Sequence, residues 1–301
     1  MKKRASYYNV LAFFNVNSDI IIRASENILR SNLLSLNDSD IDNLIKSGIQ
    51  GEVIVNSDIY EKLRLLFSKY PQNMIIGGNI GNICYLLAKY KRFKINIFVP
   101  FFDEFAFSCF KEFPNVKLFY NNLIIHQPHL IFETELRRII ITPKLNEVFS
   151  HEKTQEIFEK IKLNEFDLLI FSGGHLLTDK KELFRFIDMA KKTKAKFRFC
   201  ELAHFQSEEL LLHFIDLSRN FTDLYGMSIE EYLQLKKIFK KIHERIRYFV
   251  HSKDNLITNV VSLKAIIQSV DKYCKNIYRK SKISIGLGDK FSAKVLTKIF
   301  D

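Results

Sequence analysis

Cysteine, proline and glycine are all scarce in this chain of 301 residues. The cysteines are spaced too widely to form a C-x-x-C pair, so the sequence predicts neither a zinc site nor a disulfide framework. They lie at positions 84, 109, 200 and 274. No uncharged apolar run approaches 18 residues, and the basic start is followed by too short and too polar a stretch for a signal peptide. We therefore expect a cytoplasmic protein with reduced thiols, mostly buried, and no membrane partner.

The composition is otherwise that of a globular protein, with 47% hydrophobic and 27% charged residues. A chain of this length can bury a substantial core, and one core with an inserted subdomain is expected. The formal net charge of +12 favours anionic partners. Lysine and arginine are scattered along helical stretches without a nucleic-acid-reading motif, which favours phosphorylated small molecules over nucleic acid. The oligomeric state is not indicated.

Glycine is rare enough for its placement to carry information. After Gly51 the eight remaining glycines fall into four clusters, each following a short apolar run. The clusters are Gly77-Gly78 with Gly81, Gly173-Gly174, Gly226, and Gly286 with Gly288. In parallel α/β sheets, a short apolar strand often ends in a glycine-containing loop. Ligands bind at those strand ends.

Strand and helix patterns alternate through the chain, and there is no proline beyond Pro143. Helices are predicted at 152–162, 180–192, 206–219, 229–242 and 261–278, with strands at 166–172, 196–202, 221–225, 247–252 and 282–286. This alternation predicts βα units and a mostly parallel sheet. Two runs, 130–134 and 137–142, instead resemble an antiparallel hairpin and interrupt the pattern, as an inserted lid would.

The segment 283–289, Ile-Ser-Ile-Gly-Leu-Gly-Asp, brings two glycines and a carboxylate to the start of a predicted helix. The turn lets successive N–H groups face one anion, to which the helix adds its positive end. Asp289 is then placed to accept a proton from an attacking hydroxyl. The alternative interpretation is a glycine turn in which Asp289 is only a helix N-cap.

Eight short motifs, in this order, resemble the ADP-dependent glucokinase and phosphofructokinase family, which has the ribokinase-like fold. They are Asn15-Val-Asn-Ser-Asp19, Gly77-Gly-Asn-Ile-Gly-Asn82, His129-Leu-Ile-Phe-Glu133, Ser172-Gly-Gly-His175, Glu201-Leu-Ala203, Gly226-Met-Ser-Ile-Glu-Glu231, Val250-His-Ser-Lys-Asp254 and Gly286-Leu-Gly-Asp289. The resemblance implies a three-layer α/β core with a mostly parallel sheet and a small β lid. It places the core at about 1–18, 68–120 and 143–301, and the lid at about 19–67 and 121–142.

The resemblance also implies a function, namely transfer of the β-phosphoryl group of ADP to a hydroxyl of a sugar or sugar phosphate, with Mg²⁺. Asp289 would be the base, and the N–H groups of Gly286, Leu287, Gly288 and Asp289 would form the anion hole. The implied substrate contacts are Asn17, Asp19, Gly78, Asn79, His129, Glu133 and His175. His251 would lie near the nucleotide, and Glu201 and Glu231 would place magnesium.

Three positions depart from the family pattern. Phe199 replaces the histidine of His-x-Glu, Ser228 replaces the asparagine of Asn-x-x-Glu, and Lys290 follows the aspartate in place of a small or hydroxyl residue. Ser228 with Glu231 is also a capping box, a structural alternative to metal binding. Two other functions remain open: an ATP-dependent sugar or nucleoside kinase of the same fold, and a non-catalytic sugar- or nucleotide-binding homologue.

Overall fold

The computed structural model describes residues 7–36, 38–47, 51–239, 241–251, 257–270 and 287–301, and these build two β-sheets with helices. The large sheet contains β1 (Tyr8–Phe14), β5 (Phe93–Val99), β6 (Val116–Tyr120), β9 (Glu165–Ser172), β10 (Lys194–Glu201), β11 (Leu224–Ser228), β12 (Tyr248–His251) and β13 (Ile257–Thr258). The small sheet contains β2 (Asn17–Arg23), β3 (Gly51–Val55), β4 (Gln72–Gly77), β7 (His129–Glu133) and β8 (Arg138–Pro143).

Helices separate many of the successive strands, although β1 and β2, and likewise β6, β7 and β8, follow one another without a helix between them. The helices are α1 (Glu26–Leu34), α2 (Ser39–Ser47), α3 (Ser57–Phe67), α4 (Asn79–Leu87), α5 (Glu104–Ser108), α6 (Glu152–Ile161), α7 (Lys180–Lys192), α8 (Glu208–Ser218), α9 (Ile229–Ile238) and the C-terminal helix (Leu287–Ile299). Several begin at a polar side chain that accepts a hydrogen bond from a free N–H of the first turn, as Asn56 does from Ile59 and Ser207 from Leu210.

The large sheet has the strand order β13-β12-β11-β10-β9-β1-β5-β6 and is parallel except for β13. Its central strands are buried on both faces, which explains their continuous apolar sequence: Val10 to Phe14 and Leu168 to Phe171 have no exposed surface. Because these strands are parallel, their C-terminal ends lie along one edge of the sheet. The predicted α/β class and mostly parallel sheet are confirmed.

The small sheet has the order β3-β8-β7-β2-β4 and mixes parallel and antiparallel pairs. One of its faces carries alternate apolar residues, such as Ile20, Ile22 and Phe132, that pack against α1, α2 and α3. This hydrophobic core is separate from that of the large sheet. The opposite face of the small sheet, called the open face here, carries polar residues and turns toward the C-terminal edge of the large sheet.

The sequence pattern assigned Met74 to Ile76 to the parallel sheet, but the structure places them in β4 of the small sheet, antiparallel to β2. The opening run Val10 to Asn17 has the sequence pattern of one strand but is likewise divided, since β1 ends at Phe14 and β2 begins at Asn17 in the other sheet. A short apolar run that ends at glycine has the same appearance in either sheet, so the pattern could not distinguish them.

The predicted antiparallel hairpin of β7 and β8 is present. Cys84 and Cys200 are buried, and no disulfide joins the described cysteines. Cys274, the strand predicted at 282–286 and Gly286 lie outside the described residues. Across the described ranges, no helix combines the length and apolar content needed to cross a membrane.

Candidate functional site

The two sheets meet where β1 passes into β2, and the candidate site lies along this junction. Asn15 and Val16 join the two strands, and Gly78 returns the chain from β4 to α4. Gly78 has a positive φ of 71°, and a Cβ there would lie 2.2 Å from the carbonyl oxygen of Asn15. Only glycine therefore allows the β4–α4 connection to approach the β1–β2 connection so closely.

Asp289 lies in the first turn of the C-terminal helix and is 7% exposed. Its Oδ1 accepts a hydrogen bond from Asn79 Nδ2 at 2.9 Å, and its Oδ2 accepts one from Asn82 Nδ2 at 3.0 Å. Burial, reinforced by the charge of Glu201, raises the pKa of Asp289 to about 6, although the two amides act in the opposite direction. The carboxyl group is thus able to exchange a proton near neutral pH.

A second group of side chains lies beside Asp289 at the ends of β10 and β12. His251 Nε2 is 3.0 Å from Glu201 Oε1, and the His251 ring fills the space next to Gly288, where a Cβ would lie 2.3 Å from Cε1. Burial alone would lower the pKa of His251, but the hydrogen bond and charge of Glu201 raise it above its ordinary value. Glu201 Oε2 is buried and has no hydrogen-bond partner within the protein.

Glu231 forms the capping box that the sequence alternative predicted. Ser228 Oγ accepts from the Glu231 N–H at 3.4 Å, and the Glu231 side chain accepts from the Ser228 N–H. Burial raises the pKa of Glu231 to about 7. One oxygen of this carboxylate is therefore engaged in starting α9.

The register of the small sheet assigns its polar residues to the open face. Asp19 pairs with His129, Ile131 pairs with Ile140, and Ile140 pairs with Glu52, so these residues project from one side of the sheet. The polar residues of the open face are Asn17, Asp19, Arg23, Glu52, Asn73, His129, Glu133, Arg138 and Thr142. A row of carboxylates, amides and an imidazole is suited to hydrogen-bonding several hydroxyl groups.

Asp19 is a buried carboxylate of the open face. It accepts from Asn17 Nδ2 at 2.7 Å, lies 3.9 Å from His129 Nδ1, and packs directly on Gly77. Burial, together with the charge of Glu52, raises the pKa of Asp19 to about 8. Burial lowers the pKa of His129 to about 3, so its imidazole is neutral and offers one donor and one acceptor.

Glu52 links the open face to the large sheet and was missed by the sequence analysis. Its Oε2 lies 3.6 Å from Nε2 of His175, which follows β9, and its backbone oxygen accepts from Gln206 Nε2 at 2.9 Å. Burial lowers the pKa of His175. Glu52 belongs to no motif and stands in a segment of mixed pattern, so only the strand pairing of β3 with β8 reveals it.

Buried polar atoms without a partner concentrate at this junction. Of the ten such side-chain atoms among the described residues, five lie here. They are Asn15 Oδ1, Asn17 Oδ1, Ser172 Oγ, His175 Nδ1 and Glu201 Oε2. Buried polar groups are rarely left unpaired in proteins, and groups that meet a ligand are one explanation.

The structure brings most of the predicted site residues together, but not all of them. Glu133 lies at the far end of the open face, where it is 3.6 Å from Arg23. Phe199, which stands at a histidine position of the family pattern, is fully buried and stacks on Phe249. Asn79 contacts Asp289 and Asn15, with both polar side-chain atoms engaged.

The protonation of Asp19 leads to a prediction about stability. In the native state Asp19 keeps its proton to about pH 8, whereas in the unfolded chain it loses it near pH 4. Between these values the native state binds more protons, so the free energy of unfolding falls as pH rises. We expect Asp19→Asn to be increasingly stabilised over wild type from pH 4 to 8, by on the order of a few kcal/mol, as measured by urea unfolding.

The companion variant is Glu52→Gln, which removes the charge that helps to raise the pKa of Asp19. The native pKa of Asp19 should then be lower. The free energy of unfolding of Glu52→Gln should therefore stop declining at a lower pH than that of wild type. A stability difference between Asp19→Asn and wild type that does not change with pH would contradict the raised pKa.

Comparison with known proteins identifies the fold. No protein-family model and no curated protein sequence matches the chain. The solved structure of a hypothetical ADP-dependent phosphofructokinase from Pyrococcus horikoshii OT3 superposes with a TM-score of 0.65, at 16% identity, over 97% of both chains. The chain has the fold of the ADP-dependent phosphofructokinases. The resemblance stated from the sequence motifs is confirmed at this level.

Two further solved structures of ribokinase-like fold superpose on this chain. An ADP-dependent kinase in complex with fructose-6-phosphate and ADPβS superposes with a TM-score of 0.65 at 14% identity, over 97% of this chain and 79% of the other. Anopheles gambiae adenosine kinase superposes with a TM-score of 0.57 at 11% identity, over 97% and 95%. At these identities the comparison establishes the ribokinase-like fold alone.

Proposed function

We propose that the protein is a kinase that transfers the β-phosphoryl group of ADP to a hydroxyl of a sugar or sugar phosphate. The observation that carries this proposal is Asp289, a buried carboxylate at a helix N-terminus, oriented by two amides and located where the open face meets the large sheet. Support comes from the fold, since structures of similar fold include kinases that were solved with AMP or with fructose-6-phosphate and ADPβS.

In the proposed reaction, the oxygen of the acceptor hydroxyl bonds to the β-phosphorus of ADP. Asp289 accepts the proton of that hydroxyl. The bond between that phosphorus and the bridging oxygen breaks, and AMP leaves. The N–H groups of Gly286, Leu287, Gly288 and Asp289 would stabilise the charge of the transferred group, aided by the positive end of the C-terminal helix. Positioning and charge stabilisation supply most of the catalysis in such transfers.

The acceptor is proposed to lie on the open face, between Asp19 and Asp289. Asn17, Asp19, Gly78, His129 and His175 are grouped there, and Glu52 is added by the structure. The unpaired atoms Asn17 Oδ1 and His175 Nδ1 would be satisfied by acceptor hydroxyls. Glu133 would contact only a larger acceptor, because it lies near Arg23 at the far end.

Magnesium would be held mainly by Glu201. Its Oε2 is buried and unpaired, which fits a single carboxylate ligand or a contact to metal-bound water. The described residues contain no cluster of three or more acidic, histidine or cysteine ligands. This suits magnesium, which usually keeps several waters and takes the rest of its ligands from phosphate oxygens. The bound ion would neutralise charge on the phosphates, while His251 orients Glu201.

Glu231 provides a prediction that separates its two proposed roles. Glutamine also completes a capping box, so we expect Glu231→Gln to keep the stability of the fold while raising the magnesium concentration needed for half-maximal rate. Glu231→Ala should in addition lose about 1 kcal/mol of stability through the box. Magnesium titrations and thermal unfolding measure the two effects. An unchanged magnesium requirement in both variants would leave Glu231 as a cap alone.

The test of the function is a turnover assay with purified protein and magnesium. ADP and ATP are offered as donors, each with glucose, fructose 6-phosphate and adenosine as acceptors. We expect turnover with ADP and a sugar or sugar phosphate. Turnover with ATP alone would support the ATP-dependent sugar or nucleoside kinase. Binding detected by thermal shift without turnover on any pair would support the non-catalytic homologue.

A further inference from the structure

Both oxygens of Asp289 are held by amides of one helix. Asn79 and Asn82 are three residues apart in the first turn of α4, so their side chains lie on the same face of that helix. α4 and the C-terminal helix pack against each other, which brings this face to Asp289. One carboxylate oxygen accepts from each amide, at 2.9 Å and 3.0 Å.

A third amide fixes which way Asn79 points. Asn15 Nδ2 donates to Asn79 Oδ1 at 3.2 Å, so the oxygen of Asn79 is occupied as an acceptor. The nitrogen of Asn79 must then face Asp289, because an exchange of its oxygen and nitrogen would place two donors against each other on one side and two acceptors on the other. Asn15 follows β1, so the orientation is set by the large sheet.

The groups around Asp289 act on its charged form in opposite directions. Asp289 lies beside the N-terminal turns of both α4 and the C-terminal helix, and their positive ends favour the charged carboxylate. Gly78 caps α4 without any side-chain hydrogen bond, and the Gly81 N–H of the first turn donates to the backbone oxygen of Asn15 at 3.2 Å. His251 also favours the charged form, whereas burial and the charge of Glu201 disfavour it. Asp19 on the open face is electrostatically coupled to Asp289 as well.

We infer that Asn79 and Asn82 form an amide clamp, which acts on Asp289 as a pair of positioning residues rather than as contacts to the acceptor. The clamp fixes the carboxylate toward the attacking hydroxyl and stabilises its charged form. This inference rests on the proposed function of Asp289 as the base. It reassigns Asn79, whose sequence motif implied a contact to sugar hydroxyls, and gives a role to Asn82.

The clamp is tested with Asn82→Leu and Asn79→Leu, which keep the approximate side-chain shape and remove the donor. Asn82→Asp is a second variant that keeps the shape more closely and adds a charge next to Asp289. The matched control is Asn115→Leu. Asn115 is a partly buried asparagine whose amide donates to the carbonyls of Ala88 and Phe93, beyond the other end of α4. Rates are measured from pH 5 to 9 at saturating ADP, magnesium and acceptor.

Each Leu variant should lower kcat about 10-fold or more, the scale of one hydrogen bond to a charged group, while KM for the acceptor changes less than about 3-fold. The acid limb of the kcat profile should move upward by about one pH unit, because the charged form of Asp289 has lost a donor. Asn82→Asp should move it further. Asn115→Leu should lower the unfolding midpoint and leave the acid limb in place.

A readout that needs no turnover separates this inference from the proposed function. The ¹³C carboxyl signal of Asp289, identified by its loss in Asp289→Asn, is titrated in wild type and in the variants. A higher titration midpoint in Asn82→Leu supports the clamp even if no donor and acceptor pair gives turnover. An unchanged midpoint overturns the clamp. So does an acceptor KM that rises with kcat and the acid limb unchanged, since that result makes the asparagines substrate contacts.

Discussion

We expect Asp289→Asn to lower kcat by about 100-fold or more, the scale for loss of a positioned general base. The amide has almost the shape of the carboxylate but cannot take up a proton from the attacking hydroxyl. Burial raises the pKa of Asp289 and therefore opposes its charge, so the neutral asparagine should not weaken the fold through lost charge. The measurement is kcat at saturating substrates, together with nucleotide affinity and the unfolding midpoint, both of which should stay near wild type.

The control for this variant is Asp301→Asn, which removes a carboxylate from the surface just after the same helix, where it pairs with Arg92. It should leave kcat unchanged. If Asp289→Asn retains activity within a few-fold of wild type, Asp289 is not the base. The first turn of the C-terminal helix would then serve only to bind an anion.

We expect Gly77→Ala to raise the KM for the acceptor by about 10-fold or more and to leave nucleotide affinity near wild type. A Cβ at position 77 would lie 2.1 Å from Asp19 Oδ1 and 2.4 Å from Oδ2, so the carboxylate must move. Its bond to Asn17 and its approach to His129 would both be broken. Acceptor titrations at saturating donor measure the effect, and isothermal binding of ADP measures the expected lack of change.

Gly81→Ala is the matched control for Gly77→Ala. A Cβ there would lie 3.3 Å from Cγ1 of Ile76, so that side chain must shift slightly, and its three nearest atoms all belong to Ile76 and Val16. Alanine inside a helix is favoured over glycine by up to about 1 kcal/mol, so this variant should be stable and have an unchanged KM. An acceptor KM that rises equally in both variants would show that the effect arises from the strand-to-helix turn rather than from Asp19.

The C-terminal half of the large sheet could be predicted from sequence because its elements are regular and locally encoded. Residues such as Leu168 to Phe171 form apolar runs bounded by glycine, and each helix carries one apolar stripe. Asp289 was located for the same reason, since a glycine turn at a helix start has a local signature. In each case the pattern and the structure depend on the same few neighbouring residues.

The small sheet and its contacts could not be predicted equally well, because they depend on pairing between distant segments. Glu52 reaches the site only through the pairing of β3 with β8, about 90 residues further along the chain. Asn82 was quoted in a motif without a role, since its partner Asp289 is 207 positions away. The local pattern around Glu52 or Asn82 contains nothing that specifies either partner.

The separate hydrophobic cores of the two sheets have a consequence for how such a protein can diversify. Mutations among the residues that pack α1, α2 and α3 onto the small sheet alter a unit that is stabilised on its own. The strand ends that carry Glu201, His251 and the neighbours of Asp289 depend on the other core. Under the proposed function, selection could therefore vary the acceptor contacts in residues 17–77 and 129–143 while the strand ends proposed to act on the phosphates stay constant, so that new substrates would arise without new chemistry.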